Sequence, residues 1–346
     1  RAIAIHSLAS AMAGVLSVTE KDTVLPVVPM FHANAWGFPF TCTFTGAKQV
    51  FPGPFLDGPS LLEAFEQEQV TITAGVPTIW MGILAELDAN SDKYDTSTVR
   101  AMVVGGSAAP QSMIEAFEKR HGLRILHAWG MTEMCPLGTV SELTTREAGL
   151  SEDEQFRYRA KQGIPAPFVE IRARGAEGLV PWDGATMGEL EVRGAWISSS
   201  YYDSPEGADR WTEDGWFKTG DIVTIEPHGY IEIQDRSKDL VKSGGEWIST
   251  VALENALMGH EAVAEAAVIA VPDDKWSERP LAVVVLREGA EATDEELREF
   301  LAPHFAKWWL PERFEFVDEI PKTAVGKFRK TALREQFASA QPAETA

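Results

Sequence analysis

Ala101-Met-Val-Val-Gly-Gly-Ser-Ala-Ala-Pro110 is the stretch on which the reading of the fold turns. Ala101 to Val104 is a short apolar run that reads as a buried strand. Gly105 to Ala109 is a turn of small residues. A helix follows from Pro110 to Arg120, closed by Gly122. Proline suits a first helical turn and glycine a helix end. A strand, a glycine turn and a helix in that order predict an α/β layered domain.

Working outward, the same alternation recurs. Val24 to Pro29 and Val70 to Ala74 read as strands, and Ser60 to Glu68 and Pro77 to Leu87 as helices. From Gly163 to Asp235 the period becomes two, as in Val169-Glu-Ile-Arg-Ala173 and Gly188-Glu-Leu-Glu-Val-Arg193, which predicts a largely antiparallel sheet or small barrel. After Lys238 an α+β pattern begins. It has a helix near Val251 to Met258, strands at Ala264 to Val271 and Leu281 to Leu286, and a capping box Thr293-x-x-Glu296. A domain boundary is expected at Asp235 to Asp239, and residues 341–346 read as a tail.

The 346 residues exceed what one core usually serves. A net charge of -21 argues against nucleic-acid binding. Cys42 and Cys135 are the only cysteines, too few for a disulfide framework, so a reducing, cytoplasmic setting is expected. No window of 18 consecutive apolar residues suggests a transmembrane segment. Against this acidic background Lys322 to Arg334 holds five basic residues and no acidic one. It suggests a polyanion site, although by composition alone a solvated helix face is the simpler reading.

There is no GxxxxGKS or GxxxxGKT, no GxGxxG after a strand, and no HExxH, CxxC or GxSxG. These absences weaken P-loop, dinucleotide, zinc and hydrolase readings. Five strings remain. Gly105-Gly-Ser-Ala-Ala-Pro110 lets backbone approach a flat ligand, although an ordinary strand-to-helix turn explains it as well. His127-Ala-Trp-Gly-Met-Thr-Glu133 offers an aromatic, a hydroxyl and a carboxylate suited to a base, a phosphate and Mg2+, with a helix cap as the bland alternative for Thr132-Glu133. Trp216-Phe-Lys-Thr-Gly-Asp221 places an Asp in a tight turn at the start of a strand. In Asp235-Arg-Ser-Lys-Asp-Leu-Val-Lys-Ser-Gly-Gly-Glu-Trp-Ile-Ser249, Arg236 is a rigid fork for ribose or phosphate, and Gly244-Gly245 allows a hairpin turn or close passage of a slender ligand. Ile320-Pro-Lys-Thr-Ala-Val-Gly-Lys327 puts a lysine on a Gly-flanked loop, able to close over developing charge and withdraw.

In this order the strings resemble the adenylate-forming superfamily of acyl-CoA synthetases, adenylation domains and luciferases, over essentially the whole chain. Pro29-Met-Phe-His-Ala-Asn-Ala-Trp-Gly37 and Lys242-Ser-Gly-Gly-Glu-Trp-Ile-Ser249 are similar to bacterial medium- and long-chain fatty-acid–CoA ligases. The resemblance implies an α/β plus α+β fold. Residues 1–234 would be the remainder of a large adenylation domain of α/β layers, with a β-barrel-like subdomain at 163–234. A hinge at 235–239 would lead to a small mobile α+β domain at 240–340. It implies ATP, Mg2+ and coenzyme A as cofactors and a carboxylic acid, by its branch a fatty acid, as substrate. The acid would become acyl-AMP, releasing pyrophosphate, and then a coenzyme A thioester.

Carried over residue by residue, Trp129 would stack on adenine where the family usually has tyrosine, with Gly130 and Met131 beside it and Gly106, Ser107 and Ala108 lining the base. Asp221 and Arg236 would hold the ribose, Thr132 a phosphate and Glu133 the Mg2+. Lys327 would bridge the acyl carboxylate and α-phosphate. Lys238 would be the hinge, with Gly244, Gly245 and Trp247 serving the pantetheine arm. His32 and Trp36 would line or gate the acyl tunnel, or else form a packed aromatic cluster. The family's Ser/Thr/Gly-rich triphosphate loop is missing, and its expected place is upstream of Arg1, so an N-terminal truncation is expected. A ligase for a short thioether or aryl acid, a carrier-loading adenylation domain and a non-catalytic nucleotide binder are the competing readings. Peripheral membrane contact and a homodimer are left open.

Overall fold

The computed structural model describes residues 1–244, 246–323 and 326–337. The expected tail lies outside them. By internal contacts the chain divides into two compact units, Arg1–Thr219 with Val223–Ile233, and Gly220–Ile222 with the chain from Gln234.

In the first unit a seven-stranded sheet has the order β2-β1-β3-β4-β5-β6-β7. Its strands are β1 (Thr23–Pro26), β2 (Lys48–Gln49), β3 (Ile72–Gly75), β4 (Ala101–Val104), β5 (Ile125–Gly130), β6 (Leu137–Val140) and β7 (Ile164–Pro165). Strands β1 to β5 run parallel, while β6 and β7 join antiparallel. Residues of β1, β3 and β4 are buried throughout, because each successive side chain enters one of two cores. Leu25, Met102, Val104 and Ile125 face a core built with the helices Gly58–Glu68, Pro77–Ala89 and Gln111–His121. Val24, Val103 and Leu126 face the other, with Ala9, Phe38 and Cys42. Asp57 caps the first of those helices by accepting the Ser60 N–H at 3.0 Å. Gly122, at φ 66°, ends the last, after Lys119, Arg120 and His121.

The period-two region forms β8 (Val169–Gly175), β9 (Gly178–Leu179), β10 (Gly188–Gly194), β11 (Phe217–Ile225) and β12 (Ile231–Arg236). Their order is β12-β11-β10-β8-β9. This is an open sheet and not the small barrel that the alternation allowed. β12 and β9 stand at opposite ends of the order, with no pairing between them among the described residues. Period two specifies one buried face, which an open sheet provides equally well.

In the second unit β13 (Val241–Ser243), β14 (Glu246–Ile248), β15 (Val263–Asp273) and β16 (Ser277–Leu286) follow the order β14-β13-β16-β15, with β17 (Arg313–Phe316) parallel to β16. Ala266, Val268, Ala282 and Val284 face the helices Thr250–Leu257 and Asp294–Leu301. Ala267, Ile269, Leu281 and Val283 face Leu333 and Phe337 of the helix Lys330–Phe337. The capping box is formed, with the Glu296 N–H donating to Thr293 Oγ1 at 3.2 Å and the Thr293 N–H to Glu296 Oε2 at 2.8 Å. Among the described residues no helix is long and apolar enough to cross a membrane.

Candidate active site

The glycine turn lies at the C-terminal end of β4, the end of a parallel sheet where ligands bind. Gly106 has φ 83°, a backbone region open to glycine. Gly106 and Ser107 are exposed and Ala108 is half-buried. A Cβ on Gly105 would lie 2.9 Å from the Ala128 carbonyl oxygen and 3.2 Å from the Trp36 ring. The turn therefore packs against β5 on one side and Trp36 on the other. Buried His127 fixes it. Its Nδ1 is 2.9 Å from the Ala160 carbonyl oxygen, and the imidazole also bonds the Ser107 backbone. Burial pushes this histidine down to about 4, so it is a neutral structural clamp near neutral pH.

Strand β5 runs through Trp129 to Gly130. Trp129 is 7% exposed and packs in the core. A Cβ on Gly138 would approach its ring to 2.6 Å, so glycine at 138 makes room for the indole. A Cβ on Gly130 would meet the Pro136 carbonyl oxygen at 2.0 Å, where the Met131 N–H donates at 2.9 Å. Thr132–Met134 is one turn of 3-10 helix with Thr132 exposed and Glu133 half-buried.

Glu133 is held by a segment that the sequence did not single out. The Tyr201 hydroxyl donates to Glu133 Oε1 at 2.6 Å, and the Ser198 N–H donates to the Glu133 carbonyl at 2.8 Å. Trp211 stacks edge-on against Tyr201 at 5.2 Å and donates its indole N–H to the Ser198 carbonyl at 2.9 Å. Gly207 leaves room for the Tyr201 ring, since a Cβ there would lie 2.5 Å away. Nothing in Ser198-Ser-Ser-Tyr-Tyr202 distinguishes the first tyrosine from its neighbour. The second is 99% exposed.

The Pro29–Gly37 string contributes an unusual backbone. Ala33, Asn34, Ala35 and Trp36 all have positive φ, between 46° and 55°. Left-handed backbone costs about 1–2 kcal/mol per ordinary residue, and such strain concentrates at functional sites. His32 and Trp36 are half-buried, and Trp36 packs against the core beside Gly105.

The charged group belongs to the second unit. Asp221 is 1% exposed and lies inside β11, not in a turn at a strand's start as the Thr-Gly-Asp string suggested. Its Oδ1 is 2.6 Å from Arg236 Nε, so the two residues expected on the ribose are paired with each other. Lys327 is half-buried near both. Burial lowers its ammonium below the usual lysine range, the Arg236 guanidinium lowers it further, and Asp221 opposes them. Lys238 is exposed in a turn where the Asp239 N–H donates to the Arg236 carbonyl at 2.9 Å. Gly244, at φ 60°, follows β13 of the β13–β14 hairpin, beneath the Trp276 ring, and half-buried Trp247 pairs with Lys242. Gly245 lies outside the described residues.

The basic stretch is not a free cationic face. Lys322 is 2.5 Å from Glu265, Lys330 2.7 Å from Glu254 and Arg334 2.6 Å from Asp239. Three of its five cations are thus neutralised internally.

Two residue groups of this kind, one on an α/β unit and the other on a small α+β unit, define a class. Residues 2–202 match the family model of the AMP-binding enzyme, and residues 252–327 that of the AMP-binding enzyme C-terminal domain. The chain belongs to this family of AMP-binding enzymes. It is 51% identical to a long-chain-fatty-acid–CoA ligase of Thermus thermophilus over 97% of this chain and 62% of that protein. To a 3-methylmercaptopropionyl-CoA ligase of Ruegeria lacuscaerulensis it is 45% identical, over 98% of this chain and 62% of that one. An ATP-bound MatB structure from Rhodopseudomonas palustris superposes with a TM-score of 0.85 at 25% identity, covering 98% of this chain and 64% of the other. The chain thus spans about 62% of the length of these curated relatives.

Proposed function

We propose that the protein is an acid–thiol ligase that activates a carboxylic acid with ATP to acyl-AMP and pyrophosphate, then passes the acyl group to coenzyme A. The observation that carries this is the grouping of Lys327 with the Asp221–Arg236 pair in one unit, with a lysine whose charge both residues feel. Asp221 and Arg236 take the ribose. Lys327, depressed and half-buried, sets a positive charge against the acyl carboxylate and α-phosphate as they approach. Gly106, Ser107 and Ala108 line the base beside Trp129, Gly130 and Met131, and Thr132 donates to phosphate.

Glu133 fits a Mg2+ ligand. Its carboxylate is half-buried with one oxygen held by Tyr201, and such an ion takes one or two carboxylates plus phosphate oxygens and water. Among the described residues no cluster of three or more His, Cys, Asp or Glu is placed as a fuller cage. The ion would neutralise phosphate charge. Tyr201 fixes which carboxylate oxygen is presented.

Residues 235–239 serve as a hinge about Lys238 between the 1–234 and 240–340 domains. Rotation there withdraws Lys327 and brings Gly244, Gly245 and Trp247 to the pantetheine arm. His32 and Trp36 border the acyl chain, with the strained Ala33–Trp36 turn holding the indole against the base-binding turn.

A fatty acid is the first choice of substrate, from the 51% identical relative. A short thioether acid is the second reading, from the 45% identical one. The complete protein, given ATP and labelled pyrophosphate, is expected to support exchange with acids of one chain-length class in a panel from acetate to palmitate with 3-(methylthio)propionate and benzoate. Thioester should form when coenzyme A is added. No exchange with any acid would overturn the assignment.

A further inference from the structure

The second unit holds a buried polar chain outside the groups already given roles. Lys330 Nζ lies 2.7 Å from Glu254 Oε1 and donates to Thr250 Oγ1 at 2.5 Å. The Thr250 hydroxyl donates in turn to Asp235 Oδ2, and its N–H reaches the same oxygen at 3.2 Å. The other Asp235 oxygen accepts the Arg236 N–H at 2.7 Å. Glu254 Oε1 also accepts the Val268 N–H at 2.7 Å. Beside this chain the Ser249 hydroxyl donates to the Gln234 carbonyl. Asp235, Ser249 and Thr250 are buried.

These contacts divide on either side of Lys238. Glu254, Lys330 and Thr250 follow it, as do Asp239 and Arg334, which meet at 2.6 Å. Lys330 and Arg334 are four residues apart and share one face of their helix. Both ties fix that helix, and with it the Lys327 loop, to the chain after Lys238. The loop itself is closed by the Thr323 N–H donating to the Lys327 carbonyl at 2.8 Å and the Arg329 N–H to the Pro321 carbonyl at 2.8 Å. Gln234 and Asp235 precede Lys238. Ser249 and Thr250 reach back to them, and a backbone turn at Lys238 must break those bonds.

We propose that the Asp235–Thr250 contact, polarised by the Lys330–Glu254 pair, is a latch across the pivot that keeps Lys327 beside Asp221 and Arg236. Thr250, Lys330 and Asp235 are then positioning residues for the lysine. The inference rests on the hinge and lysine roles proposed above. Thr250 is the switchable member, because its hydroxyl accepts from the ammonium while donating to the carboxylate. A hydrogen bond between charged and neutral partners shifts a two-state balance by about tenfold.

The test uses Thr250→Val in the complete protein. Acyl-AMP formation should fall about tenfold in kcat with little change in the KM for acid. Thioester formation from supplied acyl-AMP should be undiminished, and tryptic cleavage after Lys238 should accelerate several-fold. Thr250→Ser should return all three readings toward wild type. Equal loss in both half-reactions, or cleavage unchanged by the substitution, would overturn the latch. Should the valine variant fold poorly by melting temperature, Asp235→Ala gives the same pair of contrasts. If the wild type forms no acyl-AMP with any acid, the ligase assignment fails by itself, and the cleavage rates still decide the latch.

Discussion

The segment from Trp129 to Glu133 and the group Asp221, Arg236 and Lys327 are built in opposite ways. The first is a matter of shape. Trp129 is almost wholly buried, glycines at 130 and 138 admit neighbours that a methyl would strike, and its one carboxyl group, Glu133, is oriented by the Tyr201 phenol. The second is a matter of charge. A buried carboxylate, a guanidinium and a depressed ammonium stand within one electrostatic field, with apolar packing in a lesser part. The first should therefore respond to volume and hardly to charge, and the second the reverse.

The sharpest test of the charged half is Lys327→Ala. Removing a cation that meets charge developing in the reaction costs on the order of a thousandfold. Acyl-AMP formation should fall by that much, while thioester formation from supplied acyl-AMP is spared. Quench-flow measurement of the two half-reactions reads both. Equal losses would mean that Lys327 holds the fold and not the reaction.

On the shape side, Gly130→Ala forces a Cβ to within 2.0 Å of the Pro136 carbonyl oxygen. Strain of this kind should cost about 3 kcal/mol in denaturant unfolding. Gly149 is the control, since a Cβ there meets nothing within 4 Å. Gly149→Ala should be neutral or slightly stabilising. Similar losses at both positions would remove the claim that the first half-site is set by close packing.

Tyr201→Phe separates shape from charge at one atom. The ring, its contact with Trp211 and its place over Gly207 all remain, and only the hydroxyl to Glu133 is lost. Apparent affinity for magnesium-bound ATP analogue, by calorimetry, should weaken about fivefold to tenfold, as for loss of one hydrogen bond to a charged group. Stability should change by less than about 1 kcal/mol.

How much of this was legible in the sequence follows the same division. Val24, Val103 and the other strand residues announced a layered α/β unit because a parallel strand buried on both faces is a plain apolar run. The Thr293 capping box was legible because its two partners sit three residues apart. Residues with local signatures were found. Tyr201 was not, as its partner Glu133 is distant in sequence and no spacing rule joins them. The pairing of Asp221 with Arg236 was hidden for the same reason, although each was picked out singly. The barrel expected at 163–234 became an open sheet because alternation records a buried face and not whether the edges meet. Lys322 to Arg334 looked like a basic patch because composition cannot show that Glu254, Glu265 and Asp239 lie opposite.

The smallest expected effect concerns those hidden carboxylates. Burial raises Glu254 to about 7, against the pull of Lys330 beside it and with Asp235 adding to the rise. In the unfolded chain the same carboxyl titrates near the ordinary value of 4.5. Between these values the folded protein holds a proton that the unfolded chain has released. Stability therefore falls as pH rises from about 4.5 to 7, the reverse of a salt-bridged surface carboxylate. Glu254→Gln removes the titration while keeping acceptor and volume, so the difference in unfolding free energy between wild type and variant should slope with pH within that window by on the order of 1 kcal/mol per pH unit. Parallel curves would show that Lys330 keeps Glu254 ionised throughout. The latch would then be a fixed ion pair, and the contrast between a half-site of shape and one of charge would hold to lower pH.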